Sequence, residues 1–238
     1  MAQVINTNVG ALFAGAALNK SAAGLQVAQE RLSSGLRINS AKDDATGLSI
    51  ATTYDSQVRG TNIAIRNSND AISKAQTNDG YGAQITENLQ RLYEIAVQLG
   101  GTATGAETTA LLAENSRIAG LTTAAAATTV DGKGTQVTGA SAVIAVPIGV
   151  TVANITTDLA AVATSRANYG ADMVRFASAV STMQTTSVNL SASFSRIMDT
   201  DYAAETASQA KNNILQQAGT AVLAQANQTP QTVLSLLR

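Results

Sequence analysis

Taken in alternating steps of four and three, the positions from Ile155 to Ile197 read Ile155, Leu159, Val162, Arg166, Tyr169, Met173, Phe176, Val180, Met183, Ser187, Leu190, Phe194 and Ile197. Only Arg166 and Ser187 interrupt the apolar series. A sustained 3.5-residue period keeps one seam facing a partner helix, and so predicts a coiled-coil helix of about 43 residues, about 64 Å long. A second heptad phase runs through Ala64, Ala71, Ala75, Ile85, Leu89, Leu92, Ala96 and Leu99, softened by Ser68, Asn78 and Gly82. It predicts a long helix that can lie antiparallel to the first. Gly100 and Gly101 form a stop signal, and Leu111, Leu112, Ile118 and Leu121 predict a shorter third helix after it. The expected fold is mainly α, an elongated antiparallel coiled coil or bundle of long helices.

Both ends of the chain are apolar on more than one face. Val4, Ala11, Leu18, Leu25 and Leu32 recur every seven residues, with Ile5, Val9, Leu12 and Phe13 widening the surface. Near the other end Ala203, Ala207, Ala210, Ile214, Ala221 and Ala224 keep a heptad phase, broken by Gln217. Residues 1–29 carry one charged side chain, Lys20, and residues 206–238 carry only Lys211 and Arg238. A solvated amphipathic helix normally carries charge along its outer face. These ends therefore read as helices completed by neighbours, with other copies of the chain as the expected source. The proposed seam comprises Leu18, Leu25 and Leu32, Met173, Phe176 and Val180, and Ile214.

Composition narrows the chemistry. The 238 residues are 45% hydrophobic and 13% charged, which predicts packed structure rather than solvated disorder. The chain has no Cys and no His, removing disulfides, thiolate sites and imidazole acid/base chemistry. No catalytic set, metal pattern or cofactor motif emerges, so an enzyme is not expected and no cofactor is predicted. The net charge of −1 and the lack of a basic run argue against nucleic acid as a partner. There is no apolar stretch long enough for membrane insertion, and the beginning lacks the layout of a cleaved signal peptide. Secretion without such a peptide is the expectation.

Between the long helices, residues 122–156 carry turn signals at Asp131-Gly132, Gly134 and Pro147-Ile148-Gly149, and an apolar, β-branched run from Val143 to Val152. A small β-hairpin or meander at the tip of the helices is predicted there. The linker residues Asn39, Ser40, Lys42, Asp43 and Asp44 join the first two helices. Ser40 or Asp43 suits the cap of a helix start, and the acids complement its dipole.

The opening MAQVINTN, the stretch ERLSSGLRINSAKDDATGLS from Glu30 to Ser49, and the ending ILQQAGTAVLAQANQTPQTVLSLLR from Ile214 resemble bacterial flagellin, the subunit of the flagellar filament. The resemblance covers roughly residues 1–100 and 155–238. It implies an inner coiled-coil domain of paired termini, residues 1–42 and 198–238, and a helical rod domain, residues 43–197. It further implies that the linker borders a subunit interface, and that the protein is an extracellular structural subunit self-assembling into the tubular filament for motility. Implied partners are many copies of itself, an export chaperone holding the C-terminal segment, the filament cap and the hook-junction proteins. Many flagellins carry large surface domains; only the short middle segment stands in their place here.

The segment QRLYEIAVQ from Gln90 to Gln98 resembles the flagellin stretch contacted by the host innate immune Toll-like receptor for flagellin. Arg91 and Ile95 fall on the matching face, with Glu114 as a third candidate. Ile95 and Tyr93 depart from the family pattern. Two other functions compete with the filament subunit. A hook-filament junction protein resembles flagellin at both ends, but the VLSLLR ending favours the filament subunit. A helical coiled-coil signalling module shares the heptads but would be expected to carry charged ends or a membrane anchor.

Overall fold

The computed structural model describes residues 7–122, 128–129, 136–137, 139, 143–145 and 149–236, with side chains at the C-terminal end described to residue 228. Five helices lie among the described residues: α1 (Val9–Ser34), α2 (Ala45–Gln98), α3 (Ala106–Ala119), α4 (Val152–Met198) and α5 (Tyr202–Leu236). The only strands among them, β1 (Thr128–Thr129) and β2 (Gln136–Val137), pair antiparallel, Thr128 opposite Val137. The turn signals at 131–134 and 147–148 lie outside the described residues. The described part of the apolar run from Val143 to Val152 joins no strand pair of this sheet. Instead Ile144 is buried in the core, Thr151 bridges to Thr102, and Val152 opens α4.

The chain divides into two compact units, residues 1–53 with 193–238, and residues 54–192. The division falls inside α2 and α4 rather than at the 42–43 linker. Ile38, Ala51 and Met198 form a buried cluster with Leu36, Leu48, Phe194 and Ile197, which holds the linker, the start of α2 and the end of α4 in one unit.

The second unit is built on two facing seams. In the part of α2 that belongs to this unit, Thr61, Ala64, Ser68, Ala71, Ala75, Asn78, Gly82, Ile85, Leu89, Leu92 and Ala96 are buried in an unbroken alternation of three and four, with Ile95 buried beside them. The residues that soften the sequence pattern are thus seam members, small enough to be enclosed. In α4 every seventh residue, Ile155, Val162, Tyr169, Phe176 and Met183, is buried, while Leu159, Arg166, Met173, Val180 and Ser187 are half-buried. Two polar contacts orient the helices: Arg166 Nε donates to Asp79 Oδ1 at 2.8 Å, and Ser187 Oγ donates to Asn62 Oδ1 at 3.3 Å. Residue numbers rise on one helix as they fall on the other, so α2 and α4 are antiparallel here. Leu99 does not belong to the seam; it follows the last helical turn and is exposed.

That exit is set by backbone chemistry. Gly100 and Gly101 have φ of 79° and 119°, and Gly101 N donates to Ala96 O at 2.7 Å, closing the free carbonyls of the last turn. Ala103 N then donates to Val150 O, and Val152 N to Gly101 O, tying the α2 exit to the start of α4. There Thr151 Oγ1 accepts from Asn154 N at 3.3 Å as the helix cap. Helix α3 completes the core by adding Ile118 and Ala119 beside Leu89, Leu92 and Ile95. Leu121 lies beyond its end and is exposed.

Candidate assembly interface

In the first unit α1 and α5 run antiparallel, since Asn8 Nδ2 donates to Ala226 O at 2.7 Å at one end and Arg31 faces Glu205 at 3.5 Å at the other. Asn8 also caps α1, its Oδ1 accepting from Ala11 N at 3.1 Å. Gly35 closes the helix in the left-handed region at φ 72°, donating its N–H to Arg31 O. A side chain there would be strained by that φ and would also meet the Tyr202 hydroxyl at 3.0 Å.

The contact line of this pair is made of small and polar residues. On α1 the buried positions are Ala14, Ser21 and Ala28. Leu18, Leu25 and Leu32, expected as the seam, are half-buried on its flank. On α5 the half-buried positions include Glu205, Asn212, Gln216, Gly219, Leu223 and Ala226. The approach is close: a Cβ on Gly24 would lie 2.9 Å from Asn212, and one on Gly219 would lie 3.2 Å from Leu18. The expected α5 phase needs correction. Ala203, Ala207, Ala210, Ile214, Ala221 and Ala224 are all exposed, Ile214 at 65%, because small residues and amides at other positions turn toward α1.

The linker is held at both edges. Leu36 and Asp199 form an antiparallel bridge, Arg37 N donates to Met198 O at 2.6 Å, and Thr200 N donates to Gly35 O at 2.9 Å. The Arg37 guanidinium donates through Nε and Nη2 to Ile197 O, placing a cation on the free carbonyls at the end of α4. Asp44 caps α2, accepting from Gly47 N at 2.8 Å, in place of the expected Ser40 or Asp43. Asp43 closes the turn before it: Oδ2 accepts from Asn39 N, Ser40 N and Ser40 Oγ. The Ser40 backbone bond, with that from Asn39, holds the Asp43 carboxyl below its ordinary pKa. Asn39, Ser40 and Lys42 are exposed.

Outside the contact line the pair shows much apolar surface. Val9, Leu12, Phe13, Ile214, Leu215 and Val222 are exposed, Phe13 at 78%. A cleft between the helices is lined by Phe13, Ala17, Lys20, Leu215, Ala218 and Val222, among others. Lys20 and Lys211, the scarce charges of the two segments, are both in its walls, and no acid is.

The other candidate patch lies in the second unit and is not one open face. Arg91 is exposed, with Nε donating to Glu107 at 2.8 Å and Nη1 to Glu94 at 3.0 Å. Glu114 receives two bonds from Arg117, at 2.9 and 2.6 Å, and they hold its carboxyl below the ordinary value. Ile95, by contrast, is 8% exposed and belongs to the core with Ala103, Ile118 and Ala119. Its expected place on the outer face is corrected, since α3 covers that side of α2. Among the α4 seam residues Phe176 is fully buried, and Met173 and Val180 are half-buried. Sequence reasoning missed Arg37, Asn8 and the Arg31–Glu205 pair; an Asn directly before an apolar helix start was the one available signal.

The profile of the bacterial flagellin N-terminal helical region matches residues 5–137, and that of the bacterial flagellin C-terminal helical region matches residues 152–237. The chain belongs to the bacterial flagellin family. A flagellin of Xenorhabdus nematophila is 38% identical over an alignment of 315 residues that covers both chains completely. Flagellins of Salmonella rubislaw and Salmonella typhimurium are 56% identical over 98 residues, 41% of this chain but only 20% of theirs. The matched part thus spans about a fifth of those relatives. As a flagellin the protein is a structural component of the extracellular flagellar filament, a homopolymer of flagellin copies, and is not an enzyme. No helix among the described residues is long and apolar enough to cross a membrane.

Proposed function

We propose that the paired ends, residues 1–42 and 198–238, form an assembly domain whose exposed apolar faces are covered by other copies in the filament, while residues 43–197 form a rod that is stable before assembly. The observation that carries this reading is the uncharged, exposed surface of Phe13, Ile214 and Val222 on a helix pair whose own contact line is small and polar. Exposed apolar patches of this kind mark interaction surfaces. The linker from Asn39 to Asp44 borders that interface. Between α3 and α4, the two-residue antiparallel pair of β1 and β2 serves as a small β-hairpin cap in place of a large surface domain.

The same α5 surface, in the free subunit, is available to an export chaperone, and the filament cap and hook-junction proteins meet the subunit at the filament ends. Arg91, exposed in the receptor-like stretch of α2, and Glu114, half-buried on α3, are the residues that host innate receptor contact would use. Removing residues 202–238 tests the central division. Thermal melting of the remaining rod should stay within a few degrees of the parent, while electron microscopy should show no seeded filament growth. Continued growth by the truncated chain would overturn the assembly role. Loss of the rod's helices would show that the ends belong to the monomer's core.

A further inference from the structure

Both interruptions of the α4 seam reach across to α2, and the longer of them sits on an interruption of the α2 seam. Arg166 runs over Gly82: a Cβ at Gly82 would lie 2.8 Å from Arg166 Cγ and 3.1 Å from Cδ, so the arginine stem occupies the place of a side chain. Its Nε then donates to Asp79 Oδ1 at 2.8 Å, one turn along α2. Glycine inside a helix is destabilising relative to alanine. Here it makes the seat for the arginine.

We infer that Arg166, seated over Gly82 and paired with Asp79, is the residue that sets the axial register of α2 against α4. The apolar pattern leaves that register open along much of the contact. The contacts of Asp79 with Arg166 and Asn62 with Ser187 place the α2 stretch 62–79 along the α4 stretch 166–187. On α2 this stretch presents Ala64, Ser68, Ala71, Ala75 and Asn78, all small and all buried. On α4 the large Tyr169, Phe176 and Met183 recur every seven residues. A slide of one heptad still sets large residues against small ones.

The arginine breaks that degeneracy. A seven-residue slide in either direction brings its stem against Ala75 or Leu89 instead of Gly82, and puts Ile72 or Thr86 where Asp79 stood. Neither offers a carboxylate, and the leucine fills the seat. The two side chains of the pair are 37% and 36% exposed, so the ion pair adds little to stability. Its effect is on which pairing forms, the use that heptad helices make of a single polar position.

The absence of cysteine allows a direct test, because engineered cysteine pairs report register without background. Asn62→Cys with Ser187→Cys reports the observed pairing, and Asp55→Cys or Asn69→Cys with Ser187→Cys reports a slide of one heptad. In the otherwise unchanged chain the first pair should oxidise and the other two should not. In an Arg166→Met, Asp79→Asn background, which keeps the stem and removes the charges, slipped cross-links should rise at least about fivefold. Reversing the charges with Arg166→Asp and Asp79→Arg should bring them back down. Gly82→Leu, which keeps both charges and fills the seat, should raise them on its own and serves as the second variant if the first loses helix. Slipped yields that stay at the parent level in these backgrounds, or that remain raised after charge reversal, overturn the assignment.

Discussion

The α2–α4 pair and the α1–α5 pair are both antiparallel helix contacts with a heptad period, yet they differ in what fills the seam. Between α2 and α4 the fully buried side chains include Ile85, Leu89, Leu92, Tyr169, Phe176 and Met183. Between α1 and α5 the buried positions are only Ala14, Ser21 and Ala28 on α1, set against the half-buried Asn212, Gln216 and Gly219. At about 25 cal/mol per Å² of apolar surface, the first seam removes far more area from water per turn than the second. Short or weakly packed helices are marginal alone. The proposed division between a rod stable before assembly and an assembly domain rests on this difference: the second pair buries little and keeps its large apolar residues, Leu12, Phe13 and Ile214, outside.

The largest effect that could break this contrast comes from the second unit. Phe176→Ala removes a fully buried ring and should cost about 3–5 kcal/mol, read from thermal unfolding of the monomer. Ala28→Gly in the α1 seam should cost about 1 kcal/mol by helix propensity, with hardly any shift of the main transition. Equal losses would erase the distinction. Gly24→Val is the next test. Its side chain would meet Asn212 at 2.9 Å and should separate α1 from α5, at about 1–3 kcal/mol if that contact is formed in the molecule tested. Its effect should appear in seeded filament growth and be weak in monomer melting.

Asp44→Ala removes the α2 cap and should cost about 1 kcal/mol, measured by denaturant unfolding. A smaller effect belongs to Asp43. Its folded pKa is depressed by the Ser40 and Asn39 bonds, so its contribution is present above the unfolded aspartate value and is lost as pH falls through the folded one. The group is fully exposed, and the change is confined to pH below about 4. Carboxyl-carbon NMR titration should show a lowered midpoint that Ser40→Ala, which keeps the backbone N–H and removes only the hydroxyl, moves part of the way upward; an unmoved midpoint would remove the Ser40 hydroxyl as a contributor.

The two pairs were also unequally legible in the sequence. The α4 seam could be read because large apolar residues occur on one face and Arg166 and Ser187 stand out against them. The α5 phase could not, because alanines occupy several faces and the contact with α1 uses Asn212, Gln216 and Gly219, residues no apolar pattern selects. The α2 phase could be read through its softened middle, but no apolar pattern marks Ser68, Asn78 and Gly82 as seam members; they are enclosed by virtue of size. Ile95 was misplaced because the resemblance set it on one face with Arg91, and the pattern that predicts the third helix does not show which side of α2 that helix covers. In the linker, Asp43 and Asp44 were both recognisable as turn and cap residues, but which oxygen meets which N–H depends on where the first helical turn begins.

Hydrogen exchange on the free subunit and on the filament tests the central contrast most directly. The amides around Leu89, Leu92 and Tyr169 should be protected in both states. Those of α1 and α5 around Leu18 and Ile214 should exchange rapidly in the free subunit and become protected by orders of magnitude in the filament. Strong protection of α1 and α5 in the free subunit, matching that around Tyr169, would contradict the account.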